Sequence, residues 1–304
     1  MNNNLYWTVF KNLEHELIEL SNLIHIDDNQ LEVYSIKITE LIIRTVVEVE
    51  SISKELYLQN EGTKDNDRNL FFDTDCLDLL ESKWLLSKKQ VHITGLNFYF
   101  NSTDNKILTP LNKANKRGSS SSDWLKAYQA LKHNRSKSLN KGNLRNLIKA
   151  LASLYILNLY YKDTIYDFGK DETDTNFDNS LGSAIFAVKI HRNNTVSVDK
   201  EYSKNNDFDE CIYLFKSTKE TISKAQENLK IFIEKTNNRA TSLLIQQIEK
   251  GMIGIQNKNQ EEINAIFEKI KNDNMSVVAN ENKLLLKKIF EDLKFEAILN
   301  KQQY

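Results

Sequence analysis

One proline and eight glycines in 304 residues is very little of either helix breaker. Both residues disfavour helix interiors, so a chain that nearly does without them is expected to be mostly helix. Cysteine is equally scarce, with Cys76 and Cys211 the only two. Two thiols so far apart exclude a disulfide framework and a multi-cysteine zinc module. Neither sign of charge dominates: 41 basic and 42 acidic side chains leave a formal net charge of −1. A general polyanion-coating protein would be strongly basic, so that class is excluded while a local basic site is not. No apolar run reaches the roughly 18 residues of a membrane-spanning helix. The richest run, from Leu147, is interrupted by Lys149, Ser153 and Asn158. The opening Met1-Asn-Asn-Asn-Leu-Tyr-Trp7 lacks the basic start and apolar stretch of a signal peptide. A cytoplasmic protein with no membrane partner is expected.

What is present reads as globular. Hydrophobic residues make up 40% and charged residues 27% of a chain long enough for one large or two ordinary domains. Leu13, Leu17, Leu20 and Ile24 recur at helical spacing and predict a first helix over 5–23. The His25–Asn29 stretch supplies a turn, and a long helix is expected over 31–57, followed by a polar loop to Arg68 and a short helix near 75–81. Strand-like residues and a Ser102–Asn105 turn predict a small hairpin or extended insertion within 90–111. The Ser- and Gly-containing run 112–122 leads to Asp123, a cap for a helix from Trp124, and Asn143–Tyr161 is a strongly apolar helix.

Asp163, Asp167, Asp171, Glu172, Asp174 and Asp178 mark an acidic linker. Its carboxylates lack the spacing and the glycine of a calcium loop. Beyond it, 183–191 and 195–199 around Arg192-Asn-Asn194 predict a hairpin. Helices are then expected over 208–235, 239–250, 259–271 and 281–299.

The most informative stretch is Trp124-Leu-Lys-Ala-Tyr128-Gln-Ala-Leu-Lys132-His133-Asn-Arg135. At about 100° per residue Trp124, Tyr128, Leu131 and Arg135 share a face, and His133 points nearly opposite. Lys132, His133 and Arg135 are residue types that recognise a phosphate and move a proton near neutral pH. The same cations also suit the free carbonyls and negative dipole of a helix C-terminus. Trp124 and Tyr128 have the spacing of core residues and the chemistry of base-stacking platforms. Upstream, Arg44–Glu48 and Glu50–Lys54 are i,i+4 pairs on an unusually apolar helix, so an inward Glu50 would orient Lys132 or Arg135. His15, His25, His92 and His191 show no ligand spacing, and no Gly-rich phosphate loop or Gly-x-Ser-x-Gly is present. Neither a cofactor nor a metal ion is expected.

Val49-Glu50 with Lys54, the Trp-x-x-Ala-Tyr-x-x-x-Lys-His-x-Arg segment from Trp124 to Arg135, and the Ala/Leu-rich 143–161 helix follow one another in an order that resembles the HEPN-like helical proteins of bacteria. The resemblance covers roughly the first half of the chain. It implies a mainly α fold: a HEPN-like helical domain over 1–165, the acidic linker over 166–182, and a C-terminal module with small hairpin insertions over 183–304. It further implies an RNA-targeting protein. One form is a metal-independent endoribonuclease of phage defence or a toxin–antitoxin system, with His133, Arg135 and Lys132 as catalytic candidates and Glu50, Tyr128 and Trp124 in support. The other is a non-catalytic module binding RNA or a protein partner such as an antitoxin. A homodimer is implied in both. The active members of this family carry an arginine a few residues before a histidine. Here Arg117 lies far upstream of His133, and Arg135 follows it.

Overall fold

The computed structural model describes residues 4–63, 68–171, 173, 176–192, 204–250, 258–273, 277, 280, 283, 284, 287 and 293–303. Among them the helices are α1 (Leu5–Ser21), α2 (Ile36–Gln59), α3 (Asp78–Trp84), α4 (Thr103–Lys106), α5 (Asp123–Asn134), α6 (Leu144–Lys162), α7 (Lys219–Glu249) and α8 (Gln260–Asp273). The strands are β1 (Ile26–Asp27), β2 (Val91–Ile93), β3 (Phe98–Tyr99), β4 (Ile107–Leu108), β5 (Tyr166–Gly169), β6 (Phe186–Val188), β7 (Ile190–Arg192), β8 (Tyr213–Ser217) and β9 (Phe295–Leu299).

Helix α6 is the centre. It is buried on every side, from Leu144 to Tyr160, with few breaks. A helix apolar all round has to be covered all round. α2 packs along it through Ile38, Leu41, Ile42, Val46, Val49, Ile52 and Leu56, and α1 and α5 close two further sides. The Ser35 hydroxyl caps α2 by accepting from the Ile38 amide at 3.1 Å, so the helix starts at Ile36 rather than Leu31. The residues before it have another task. The Leu31 and Val33 carbonyls accept from the Arg145 and Leu144 amides, satisfying donors in the first turn of α6.

The expectation of a mainly α chain is overturned. Nine strands in three sheets among the described residues make this a mixed α/β fold. β1 pairs in parallel with β3, and β2 lies between β4 and β6, antiparallel to both. The largest sheet has the order β5-β9-β8-β7, with only β7 and β8 parallel. Two of its strands fall where helix was expected. Tyr213–Ser217 stands at the start of the expected 208–235 helix, and Phe295–Leu299 ends the expected 281–299 helix. A short apolar run such as Ile212-Tyr-Leu-Phe215 suits a buried strand as well as a helix. β9 carries the period of two: Phe295, Ala297 and Leu299 are buried, and the residues between them half-buried.

The remaining helical expectation is revised at Asn237-Asn238, which α7 traverses without a break. Asparagine costs a helix interior only modestly. Asn259 and Glu262 form a reciprocal capping box at the start of α8, each side chain accepting the other's backbone amide at 2.9 Å. The second arm of the expected 183–199 hairpin lies outside the described residues. Its first arm divides between β6, which pairs with β2, and β7, which pairs with β8.

Segment 166–182, expected as a linker, carries β5 and returns to the core through Phe177 and Leu181. The buried Glu14 carboxylate on α1 accepts from the Ser183 hydroxyl and, at 2.9 Å, from the Ala184 amide. Tyr160 on α6 donates to the Asn300 carbonyl at 2.8 Å, and the Asn300 amide group donates to the Phe208 and Cys211 carbonyls. Lys89 is fully buried and donates to the Asp209 carbonyl at 2.9 Å.

Replacing Tyr160 by Phe strands a buried carbonyl, and we expect a loss of about 1–2 kcal/mol. It is read as a lower urea midpoint at unchanged denaturant slope. Burial pushes the Lys89 ammonium down to about 8 from 10.5. The folded state releases that proton before the unfolded state does, so this contribution to stability is present above pH 10.5 and lost as pH falls through about 8. Urea unfolding at pH 7 and pH 9.5 is expected to show the wild type gaining on Lys89→Met as pH rises.

Candidate functional site

A cleft of about 470 Å³ opens where α2, α5 and the segments preceding α3 and α5 meet. Each wall follows from local periodicity. Glu50 and Lys54 are one turn apart on the shoulder of α2, beside its buried stripe. Leu125, Gln129 and Lys132 share one face of α5. Phe71 to Asp73 enter from a π-helical turn over Phe72–Leu77, a rare local geometry often found at functional sites. Lys116 and Arg117 come from the loop before α5, where Gly118 takes the left-handed turn at φ 62°.

One cation of the cleft is clamped. Arg117 Nε donates to Asp73 Oδ2 at 2.7 Å, and its guanidinium lies 3.8 Å from the Phe71 ring centroid. The hydrogen bond to Asp73 raises the Arg117 pKa above its ordinary value. Asp73 is itself nearly buried and also accepts from the Thr74 amide. Lys116 is 3.6 Å from Asp78. Among the described residues, Lys54 and Lys132 make no salt bridge, and the Lys132 ammonium lies 5.4 Å from the Tyr128 ring centroid. Four cationic and two carboxylate side chains line the cleft, so the chain's near-neutral total conceals a local positive surplus. Such a surface can hold a phosphate or another oxyanion.

The residues singled out from sequence divide into three groups. Lys132 and Glu50 are brought together at the cleft. Trp124 and Tyr128 are buried beneath it at 1% and 2% exposure, and the indole donates to the Pro110 carbonyl at 2.8 Å. These two rings face the core, out of reach of a stacked base. Burial, reinforced by the nearby Glu50 carboxylate, pushes the Tyr128 hydroxyl up to about 12 and keeps it protonated. His133 and Arg135 are exposed at the C-terminal end of α5 and are not among the cleft-lining residues. Neither has a side-chain hydrogen bond or salt bridge among the described residues.

Arg44 bridges to Glu16 of α1 at 2.5 Å, an inter-helix pairing in place of a pure i,i+4 contact. Asp73 and Lys116 stand in no recognisable sequence motif, and Arg117 lies too far from His133 in sequence to be linked to it. The local signal for Lys116 and Arg117 is a Lys-Arg-Gly triplet separated from α5 by four serines.

Fold and site together define a mixed α/β protein with a cationic cleft between α2 and α5. Comparison with protein-family models, curated proteins and solved structures finds no match to this chain. The likeness to HEPN-like proteins therefore rests on the residues quoted above.

Arg117→Ala leaves the Asp73 carboxylate without its guanidinium. Because the Arg117 side chain is 46% exposed, solvent offsets part of the loss, and a cost of about 1 kcal/mol is expected. A double-mutant cycle with Asp73→Asn should return a coupling energy of that size.

Proposed function

We propose that this chain is an RNA-binding module whose cleft holds the sugar-phosphate backbone, without itself cleaving it. The observation that carries this reading is the placement of Lys54, Lys116, Arg117 and Lys132 around one cleft. Arg117 is positioned in advance by Asp73 and Phe71, so it orders little on binding. Lys54 and Lys132, without salt bridges among the described residues, supply counterion-releasing contacts. The HEPN-like segments support the same class of ligand, since the three helices that carry them, α2, α5 and α6, pack on one another.

The non-catalytic form is favoured by the position of His133. Acid–base cleavage of RNA needs a histidine within hydrogen-bond reach of the bound 2′-hydroxyl and a cation at the phosphorus. His133 is absent from the cleft lining and has no carboxylate partner to orient its ring among the described residues.

Fluorescence polarisation with labelled single-stranded RNA over a salt series tests the proposal. Wild-type affinity should fall steeply with salt, and Lys54→Ala and Lys132→Ala should each lower the log–log slope by about 1. His133→Ala should bind as the wild type does. Unchanged binding in both lysine variants overturns the cleft as the interface. RNA cleavage that disappears in His133→Ala replaces the binding module by an endoribonuclease.

A further inference from the structure

We propose that His191, Asp207 and Cys211 form a binding site for one divalent transition-metal ion of the zinc class. Each residue offers one ligand atom, and the three atoms all lie within 4.8 Å of one another. Donors around a tetrahedral zinc ion, with bonds of about 2.0–2.3 Å, stand about 3.3–3.8 Å apart. Side-chain shifts of about 1 Å are therefore enough to close the three on an ion.

The fold assembles them from separate places. His191 is the middle residue of β7, and Asp207 and Cys211 flank the turn that leads into β8. β7 and β8 are parallel neighbours, and this register brings the histidine over the turn. His191 and Cys211 are both fully buried.

The surroundings are those of a ligand set. Asp207 Oδ1 lies 2.8 Å from His191 Nδ1, and Asp207 Oδ2 is held by the Lys189 ammonium at 2.9 Å. A carboxylate fixed through one oxygen presents the other in a defined direction, as outer-shell partners do for metal ligands. The Phe208 ring packs edge-on against the imidazole at a centroid distance of 5.3 Å and walls off that side. Thiolate, imidazole and carboxylate together select a borderline-soft ion over magnesium or calcium. On binding, the metal–sulfur bond replaces the S–H bond of Cys211, and that proton leaves to solvent. The same trio does not make a thiol nucleophile. A sulfur with no exposure is out of a substrate's reach, and burial pushes its pKa up to about 12.

Sequence spacing hid the site, because its three residues belong to a strand and a turn rather than to one short motif. Titration of the full chain with Co(II) tests it. One equivalent should give a near-ultraviolet thiolate-to-cobalt band and visible bands of tetrahedral cobalt, both bleached by Zn(II). Cys211→Ser should abolish the near-ultraviolet band, and Cys76→Ser should retain it. If Cys211→Ser fails to fold, His191→Gln reads the same site through loss of the stoichiometric visible spectrum. Absence of the near-ultraviolet band in the wild type overturns the proposal. So does its survival in Cys211→Ser or its loss in Cys76→Ser alone.

Discussion

Burial of α6 is the constraint on which the other elements depend. A helix that is apolar around its whole circumference cannot lie at a surface, so several separate segments must converge on it. Three helices cover part of it, and strand-bearing segments from much later in the chain cover the rest. The polar groups on α6 decide which backbone goes where. The Tyr155 hydroxyl donates to the Ser180 carbonyl, the Tyr160 hydroxyl to the Asn300 carbonyl, and the Ser153 hydroxyl to the Lys149 and Pro110 carbonyls. Each hydroxyl would be costly to bury alone, and the bonds to Ser180, Asn300 and Pro110 pin irregular segments against the helix. Trp124 repeats the device from α5, since its indole donates to the same Pro110 carbonyl.

The cleft is a by-product of that packing. α2 turns its apolar stripe to α6 and α5 turns Leu125, Tyr128 and Leu131 inward, so the residues on their shoulders face each other across a groove. Glu50, Lys54 and Lys132 stand there because their neighbours at helical spacing are buried. The clamped Arg117 and the π-helical turn that carries Asp73 finish the groove at its open end. Lys54 and Lys132 of this cationic surface stand on packed helices, and Arg117 on the loop before α5 is held by Asp73.

The proposed metal cluster has the same kind of origin in the sheet-bearing part of the chain. The sheet β5-β9-β8-β7 and the Asn300 side chain fix the turn before β8, and His191 reaches that turn from the neighbouring strand. Lys89 and Tyr160 tie the same region to the helical half, so the two parts of the chain share side-chain-to-backbone hydrogen bonds as well as apolar surface.

Much of the helical half was legible in the residues alone. Scarce proline and glycine, the apolar spacing of α1, α2, α5 and α6, and the inward stripe of Trp124 and Tyr128 are local patterns of period 3.6, and a local pattern determines a local element. Lys132 and Glu50 could be singled out for the same reason. The strands could not: Ile212-Tyr-Leu-Phe215 and Phe295–Leu299 are short apolar runs whose conformation is chosen by a pairing partner far away in sequence. Tertiary structure alone moved His133 and Arg135 away from the cleft and brought Arg117 and Asp73 into it. It also set His191 beside Cys211. Helices are written in contacts within a few residues. Sheets, ion pairs and ligand sets are written in contacts across the whole chain, and only packing decides which of them close.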